Sequence, residues 1–353
     1  MMRSAPGARD AITDVVGVLV GHCQRLDPQV TLGSGAATGC TVVRVPGGAT
    51  AAVDVRGGGP GTRETDLLDP ANTVRQLHAI LLTGGSAYGL AAADGVMRWA
   101  EEHGEGIPMD PADPGRVVPI VPAAVIFDLP VGDWRVRPTA DDGFRAADAA
   151  STEFARGTAG AGVGARAGAL KGGIGSASVV LGEGPGEGMT VGAVIVANPV
   201  GSVVDPRTGL PWGTGTDGPE YFGLAPGTPE QIAAMNALPV KGTVLNTTIG
   251  VVATDAALDP AGCRRLATTA HDGLARAIRP VHSPLDGDTL FALSTGAKRA
   301  PAVALPPAFP PDLLLLDQLC TAAAVVVERA VVDAVLHATS IAGIPAYRDL
   351  FGA

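Results

Sequence analysis

Val244-Leu245-Asn246-Thr247-Thr248-Ile249-Gly250-Val251-Val252-Ala253-Thr254-Asp255 lies about two-thirds along a chain of 353 residues. It is an apolar, β-branched run with an Asn-Thr pair near its start. An ordinary buried strand after a turn has this composition. A second reading is a concealed N-terminus. Cutting the Asn246–Thr247 bond would give Thr247 a free α-amine beside its own hydroxyl. Such an amine has a reference pKa near ~8, against about 10.4 for lysine, so a useful fraction is neutral at physiological pH. Nucleophile and base would then share one residue.

Working outward, Thr41–Val45, Thr50–Val55 and Ala79–Thr83 read as strands, each followed closely by Gly or Pro. Leu90 to Glu102 reads as a helix closed by His103-Gly104, and residues 143 to 156 as an alanine-rich helix. Val191–Asn198 is a strand, followed by a long Gly/Pro loop over 205 to 228 and a short helix at 229 to 235. After Thr247 the pattern gives strand 247 to 254, helix 260 to 278, strand 289 to 295 and helix 312 to 339. Clustered strands flanked by helices predict an α/β fold of two packed sheets between helical layers.

Hydrophobic residues make up 46% of the chain and charged ones 17%, which supports a large core and argues against disorder. With no linker or charge block dividing it, the chain reads as a single domain. The 49 glycines, roughly twice the usual ~7% share, gather at the ends of apolar runs, where tight turns form. A net charge of −10 without clustered Lys and Arg argues against nucleic acid. Cys23, Cys40, Cys263 and Cys320 have no metal or disulfide spacing, and with no signal-peptide core they read as free thiols of a cytoplasmic protein. The segment Leu313 to Thr339 is interrupted by Asp317, Glu328, Arg329 and Asp333, so it reads as a buried helix and not a membrane span. No metal or other cofactor is expected.

Several residues invite a chemical reading beside a structural one. Asn198, before Pro199, is either a turn former or an amide projecting from a sheet end. Asp286 and Asp288 flank a glycine in Leu285-Asp286-Gly287-Asp288-Thr289, a solvated turn or a pair of working carboxylates. Lys171 opens a glycine-rich passage, and a lone loop lysine is ordinarily a solvated charge. Thr248 shares the hydroxyl of Thr247, but a period of two turns it to the opposite face. Gly84-Gly85-Ser86-Ala87-Tyr88-Gly89 departs by one residue from the Gly-x-Ser-x-Gly elbow, so Ser86 and Tyr88 are placed at a helix N-terminus or pocket wall. Arg56, Arg63, Glu64 and Asp66 suggest an ion-pair network holding their loop.

The run around Thr247 joins Asp54-Val55-Arg56-Gly57-Gly58-Gly59-Pro60-Gly61, Leu82-Thr83-Gly84-Gly85-Ser86-Ala87-Tyr88-Gly89, Val196-Ala197-Asn198-Pro199 and Val281-His282-Ser283-Pro284-Leu285-Asp286-Gly287-Asp288-Thr289. Together these resemble the self-processing aminopeptidase family of L-aminopeptidase/D-amidase-esterases, β-peptidyl aminopeptidases and nylon-oligomer endo-hydrolases, from about Asp10 to the last helix. The resemblance implies a four-layer α-β-β-α sandwich of the N-terminal-nucleophile type. It also implies cleavage between Asn246 and Thr247, giving chains 1–246 and 247–353 that stay associated in a homo-oligomer. It makes Thr247 the nucleophile, Asn198 an oxyanion donor, Asp286 and Asp288 orienting groups, and Lys171 the catalytic lysine. The expected substrate is a short peptide or amide oligomer. Where several family members carry an oxyanion-binding tyrosine, this chain has Phe127. An acyltransferase of the ornithine acetyltransferase type shares the same kind of fold and nucleophile and is the rival reading, with an uncleaved binding protein as a third.

Overall fold

Alternation along the strands sorts apolar side chains into three separate layers, and those layers define the architecture. The computed structural model describes residues 4–242, 245–301 and 303–352; Val244, at the head of the run quoted above, lies outside them. In the strands Thr190–Ala197, Ile249–Ala256 and Thr289–Lys298, one face presents Val191, Ala193, Ile195, Val252, Leu290 and Ala292 to the helices α3 (Pro260–Ala277) and α4 (Leu313–Leu336). Their opposite face presents Val194, Val196, Ile249, Val251, Phe291 and Leu293 to a middle layer shared with Val43, Ile80 and Leu82. Cys40, Val42, Ala79 and Leu81 point away from that layer, toward α1 (Ala92–Glu102) and α2 (Ala140–Asp148). The order is therefore helices, sheet, sheet, helices, which is the four-layer arrangement expected from the sequence. Each large side chain in these layers contributes about 1.5–3 kcal/mol by leaving water.

One strand serves both sheets. The two strands predicted at 41 to 45 and 50 to 55 are a single element, Ala37–Val55. Its first half pairs antiparallel with Leu19–Leu26 and Leu77–Thr83, and its last residues pair with Thr289–Lys298. The crossing falls at Gly47 and Gly48, whose φ values of +87° and +84° any side chain would strain. Ser4–Ala5, Gly173–Leu181, Thr190–Ala197, Ile249–Ala256 and Thr289–Lys298 follow in order across the first sheet; Leu77–Thr83, Ala123–Val125 and Thr62–Arg63 extend the second.

The helix predicted over 143 to 156 instead occupies Ala140–Asp148. Thr139 and Asp142 fix its start, the Thr139 N–H and hydroxyl both donating to Asp142 Oδ2 at 2.8 Å. Its end is set by Ser151, which exchanges backbone hydrogen bonds with Val20, so the alanines beyond 148 turn back toward a strand. In α4, Glu328 and Arg329 are buried but paired. Glu328 accepts from the Thr216 hydroxyl at 2.6 Å, and Arg329 grips Asp217 through two bonds of 2.7 and 2.6 Å. Among the described residues no helix is long and apolar enough to cross a membrane, and the four cysteines are free thiols.

Candidate active site

Three strand ends meet at one edge of the first sheet. Ile249–Ala256 and Thr289–Lys298 are parallel neighbours with Ile249 opposite Thr289. The residues just before each, Asn246–Thr248 and Asp286–Asp288, consequently lie side by side. Asn246 N–H donates to Leu285 O at 2.8 Å, Gly287 N–H to Asn246 O at 3.0 Å, and Thr289 N–H to Thr248 O at 3.1 Å. Thr190–Ala197 runs antiparallel with Val196 opposite Ile249, so Asn198 reaches the same edge. There Thr247 N–H donates to Asn198 O at 3.1 Å.

Thr247 is only 4% exposed, and its hydroxyl donates to the carbonyl oxygen of Asn246. That oxygen is therefore met from two sides, by the Thr247 hydroxyl and by Gly287 N–H. Gly287 has room for no side chain, since a Cβ would stand 2.9 Å from Thr247 Oγ1 and 2.6 Å from Gly59 O. The loop Gly57-Gly58-Gly59 closes over this turn, with Gly59 N–H donating to Asp286 O at 2.8 Å and Gly57 N–H to Asp288 O at 3.3 Å.

Both aspartates are buried, and each holds backbone rather than solvent. Asp286 accepts from Val200 N–H at 3.1 Å and the Ser283 hydroxyl at 2.8 Å. Burial, with the charge of Asp288 beside it, pushes the Asp286 carboxyl up from its ordinary value. Asp288 accepts from Thr248 N–H at 2.7 Å, His282 N–H at 3.1 Å and His282 Nδ1 at 2.8 Å. Thr248 thus contributes its backbone to the site, while its buried hydroxyl has no hydrogen-bond partner among the described residues.

Asn198 is fully buried with its amide orientation fixed. Arg166 N–H, an unambiguous donor, reaches Asn198 Oδ1 at 2.9 Å, and Lys241 Nζ reaches the same oxygen at 2.7 Å. The Nδ2 group is thereby turned the other way, with only a long 3.5 Å contact to Phe127 O. Phe127 itself stacks edge-on against Trp134 at 5.9 Å, so where a tyrosine would add a hydroxyl it presents only an apolar ring.

Lys171 is fully buried, contrary to the solvated-charge alternative. Its amine donates to Gly162 O at 2.8 Å and Gly172 O at 2.9 Å. Burial pushes it down to about 7, partly opposed by the Asp128 charge. Asp128, pushed up to about 6 by burial, accepts from the Thr38 hydroxyl at 2.7 Å and Gly85 N–H at 2.6 Å. The Gly84-Gly85-Ser86 turn therefore clasps a carboxylate, and Ser86 N–H is taken by Ile126 O at 3.0 Å. Tyr88 is 55% exposed, with the Arg137 guanidinium 3.6 Å above its ring. Arg56, Arg63 and Glu64 do not pair with one another as a loop network. Arg56 joins Asp54, Arg63 joins Asp94, and Glu64 accepts from Val121 N–H, tying the loop to its neighbours.

The Lys171 environment has a measurable consequence. A lysine whose native pKa lies below its unfolded value binds fewer protons when folded, so stability rises with pH from about 7 toward 10.5. Urea melts at pH 7, 8 and 9 in a Thr247→Ala background should show a slope that Lys171→Met loses, approaching ~1.4 kcal/mol per pH unit. Equal slopes in the two proteins would refute a low native Lys171 pKa.

Three contributors escaped the sequence reading: Lys241, the Gly287 N–H and His282. Lys241 carried a signal. The chain has only three lysines among 25 basic residues, and one stands six positions before Thr247. Gly287 N–H and the ring of His282 act through register and turn geometry, which spacing alone does not reveal.

The model of peptidase family S58 matches residues 10–348. An uncharacterized aminopeptidase of Mycobacterium bovis is 58% identical over 347 residues, spanning 97% of this chain and 98% of that protein. A 6-aminohexanoate-oligomer endohydrolase of a Kocuria species is 33% identical over 279 residues, 76% of this chain and 73% of that protein. Among solved structures, a Burkholderia β-aminopeptidase superposes with a TM-score of 0.72 at 26% identity, covering 98% of this chain and 94% of its own. The L-aminopeptidase D-Ala-esterase/amidase of Ochrobactrum anthropi, described as a variant of the Ntn hydrolase fold, gives 0.68 at 24% identity over 96% and 89%. With the family model spanning nearly its whole length and relatives of this likeness, the chain belongs to peptidase family S58 and is a hydrolase of peptide or amide bonds.

Proposed function

We propose that this hydrolase processes itself between Asn246 and Thr247 and then works as an N-terminal threonine enzyme. The observation that carries the reading is the Asn246 carbonyl, held between the Thr247 hydroxyl and Gly287 N–H. Attack of Oγ on that carbon moves the acyl group from nitrogen to oxygen, with the hydroxyl proton passing to the departing Thr247 nitrogen. Gly287 N–H meets the oxygen where negative charge develops. Water then opens the ester, leaving an Asn246 carboxylate and a Thr247 α-amine.

In the mature enzyme the same Oγ attacks a substrate carbonyl and the α-amine relays the proton to the leaving amine. In this step, as in self-cleavage, Asn198 Nδ2 donates to the oxyanion. Asp286 and Asp288 hold the turn and the Thr248 amide that frame the nucleophile, and Lys171, buried with its amine pushed down to about 7, is the catalytic lysine. Thr248 serves through its backbone, and Phe127 walls the oxyanion side. Chains 1–246 and 247–353 remain one domain across the shared sheet, assembled as a cytoplasmic homo-oligomer. The substrates are short peptides or amide oligomers, the bond type named for the relatives.

The test is a panel of linear 6-aminohexanoate oligomer, a β-alanyl amide and L-alanine p-nitroanilide, each with and without an amine acceptor. Hydrolysis of at least one amide, with the acceptor left mostly unacylated, is the expected result. Product formed only when acceptor is present would establish the acyltransferase reading instead. No turnover from a protein shown to be cleaved would leave the substrate class wrong.

A further inference from the structure

The segment that leads into Thr247 is tied to Asn198 by one side chain. Lys241 Nζ donates to Asn198 Oδ1 at 2.7 Å, Arg166 O at 2.9 Å and Asn198 O at 3.2 Å. An ammonium carries three donors and no acceptor, and three oxygens face it. The Arg166 side chain holds the same segment through Pro239 O at 2.7 Å. Asn198 O, one of the three acceptors, also receives Thr247 N–H at 3.1 Å. One amine thus touches both the side-chain oxygen and the backbone oxygen of the residue proposed as oxyanion donor, and that backbone oxygen receives the Thr247 N–H.

We propose that Lys241 is a positioning residue for self-cleavage: it locks the Asn198 amide with Nδ2 outward and, through Asn198 O, steadies the Thr247 backbone while the peptide bond is still intact. The proposal rests on the self-processing reading above. A lysine in this place costs stability, because burial beside Arg166 pushes its amine well below the usual range, opposed by the charges of Asp286 and Asp128. A side chain whose only task was to fill space would be apolar here. The neighbouring cavity of about 350 Å³ is walled by Leu170, Val200, Val204, Met235 and Leu238, so an apolar side chain would have partners at hand. Lys241 also lies on the fragment that cleavage turns into a new C-terminal tail, which confines its grip on Asn198 most firmly to the uncut chain.

The experiment follows cleavage of pulse-labelled full-length chain by denaturing gel in wild type, Lys241→Met, Asn198→Ala and the double variant. Lys241→Met should slow cleavage at least tenfold while keeping a cooperative thermal transition. The double variant should be slowed by much less than the product of the two single effects, because the grip of Lys241 on Asn198 Oδ1 is already lost in Asn198→Ala while its bond to the backbone oxygen of residue 198 is not. Should Lys241→Met fail to fold, Lys241→Gln, which keeps a donor of shorter reach, takes its place with the same expectation. A Lys241 variant cleaving at the wild-type rate overturns the assignment, and so does a double variant whose slowing is the full product of the single ones. An uncut wild type is a different result, for it removes the self-processing reading itself.

Discussion

Thr247→Ala is expected to leave a single chain of 353 residues, whereas wild type should resolve under denaturing conditions into pieces of 246 and 107 residues. Intact mass measurement decides it. The expectation follows from position: the Thr247 hydroxyl is the group seated on the Asn246 carbonyl, the proposed point of cleavage, and the oxygens of Asp286 and Asp288 are taken by Val200, Ser283, Thr248 and His282. Removing it takes away the bond-forming atom, so amide hydrolysis should fall by at least ~10⁴-fold, as loss of a nucleophile does elsewhere. The fold should survive. One buried hydrogen bond is worth about 1 kcal/mol, and the backbone bonds from Thr247 and Gly287 remain. Thr247→Ser, which keeps the hydroxyl and drops a methyl, should still cleave. An intact wild type after prolonged incubation, or a Thr247→Ala chain that still cuts, would end the N-terminal threonine mechanism.

The layers of the fold were legible because the period-two alternation of Ile249, Val251 and Ala253 against Val252 needs no partner to be read. The junction of the two sheets was not. Pro46-Gly47-Gly48 looks like the end of a strand, yet positive φ at both glycines lets the chain bend and stay extended. At the site, Thr247, the aspartates and Asn198 could be picked out as candidates from motifs, since each sits at a strand end that the pattern marks. What could not be read is which atoms they present. Asp286 and Asp288 grip backbone amides, Asn198 offers its nitrogen because Arg166 N–H takes its oxygen, and Lys171 is buried by a passage that looks exposed for its glycine content. Parallel register between two strands forty residues apart puts Gly287 N–H on Asn246 O. That is a property of the sheet, so no local window contains it.

Asn198 offers a sharper test of chemistry because its two amide atoms have separate duties. The oxygen accepts from Arg166 N–H and Lys241, and the nitrogen, with only a long contact to Phe127 O, is the proposed oxyanion donor. Asn198→Ala removes both duties, and loss of an oxyanion donor alone should slow self-cleavage by ~10²–10³. Asn198→Asp separates them. A carboxylate keeps an acceptor for Arg166 and Lys241, and beside the buried amine of Lys241 it gains a counter-charge, so anchoring is retained. But the atom replacing Nδ2 is then an oxygen without a proton, placing negative charge where the transition state develops its own. If Asn198 works as an oxyanion donor, Asp should cleave as slowly as Ala or more slowly while unfolding at an equal or higher temperature. If Asn198 only ties Arg166 and Lys241 together, the order reverses, and Asp should cleave near the wild-type rate where Ala does not. Time courses of fragment appearance for the two variants, beside their melting temperatures, separate the cases, because no purely structural role makes the better-anchored variant the slower one.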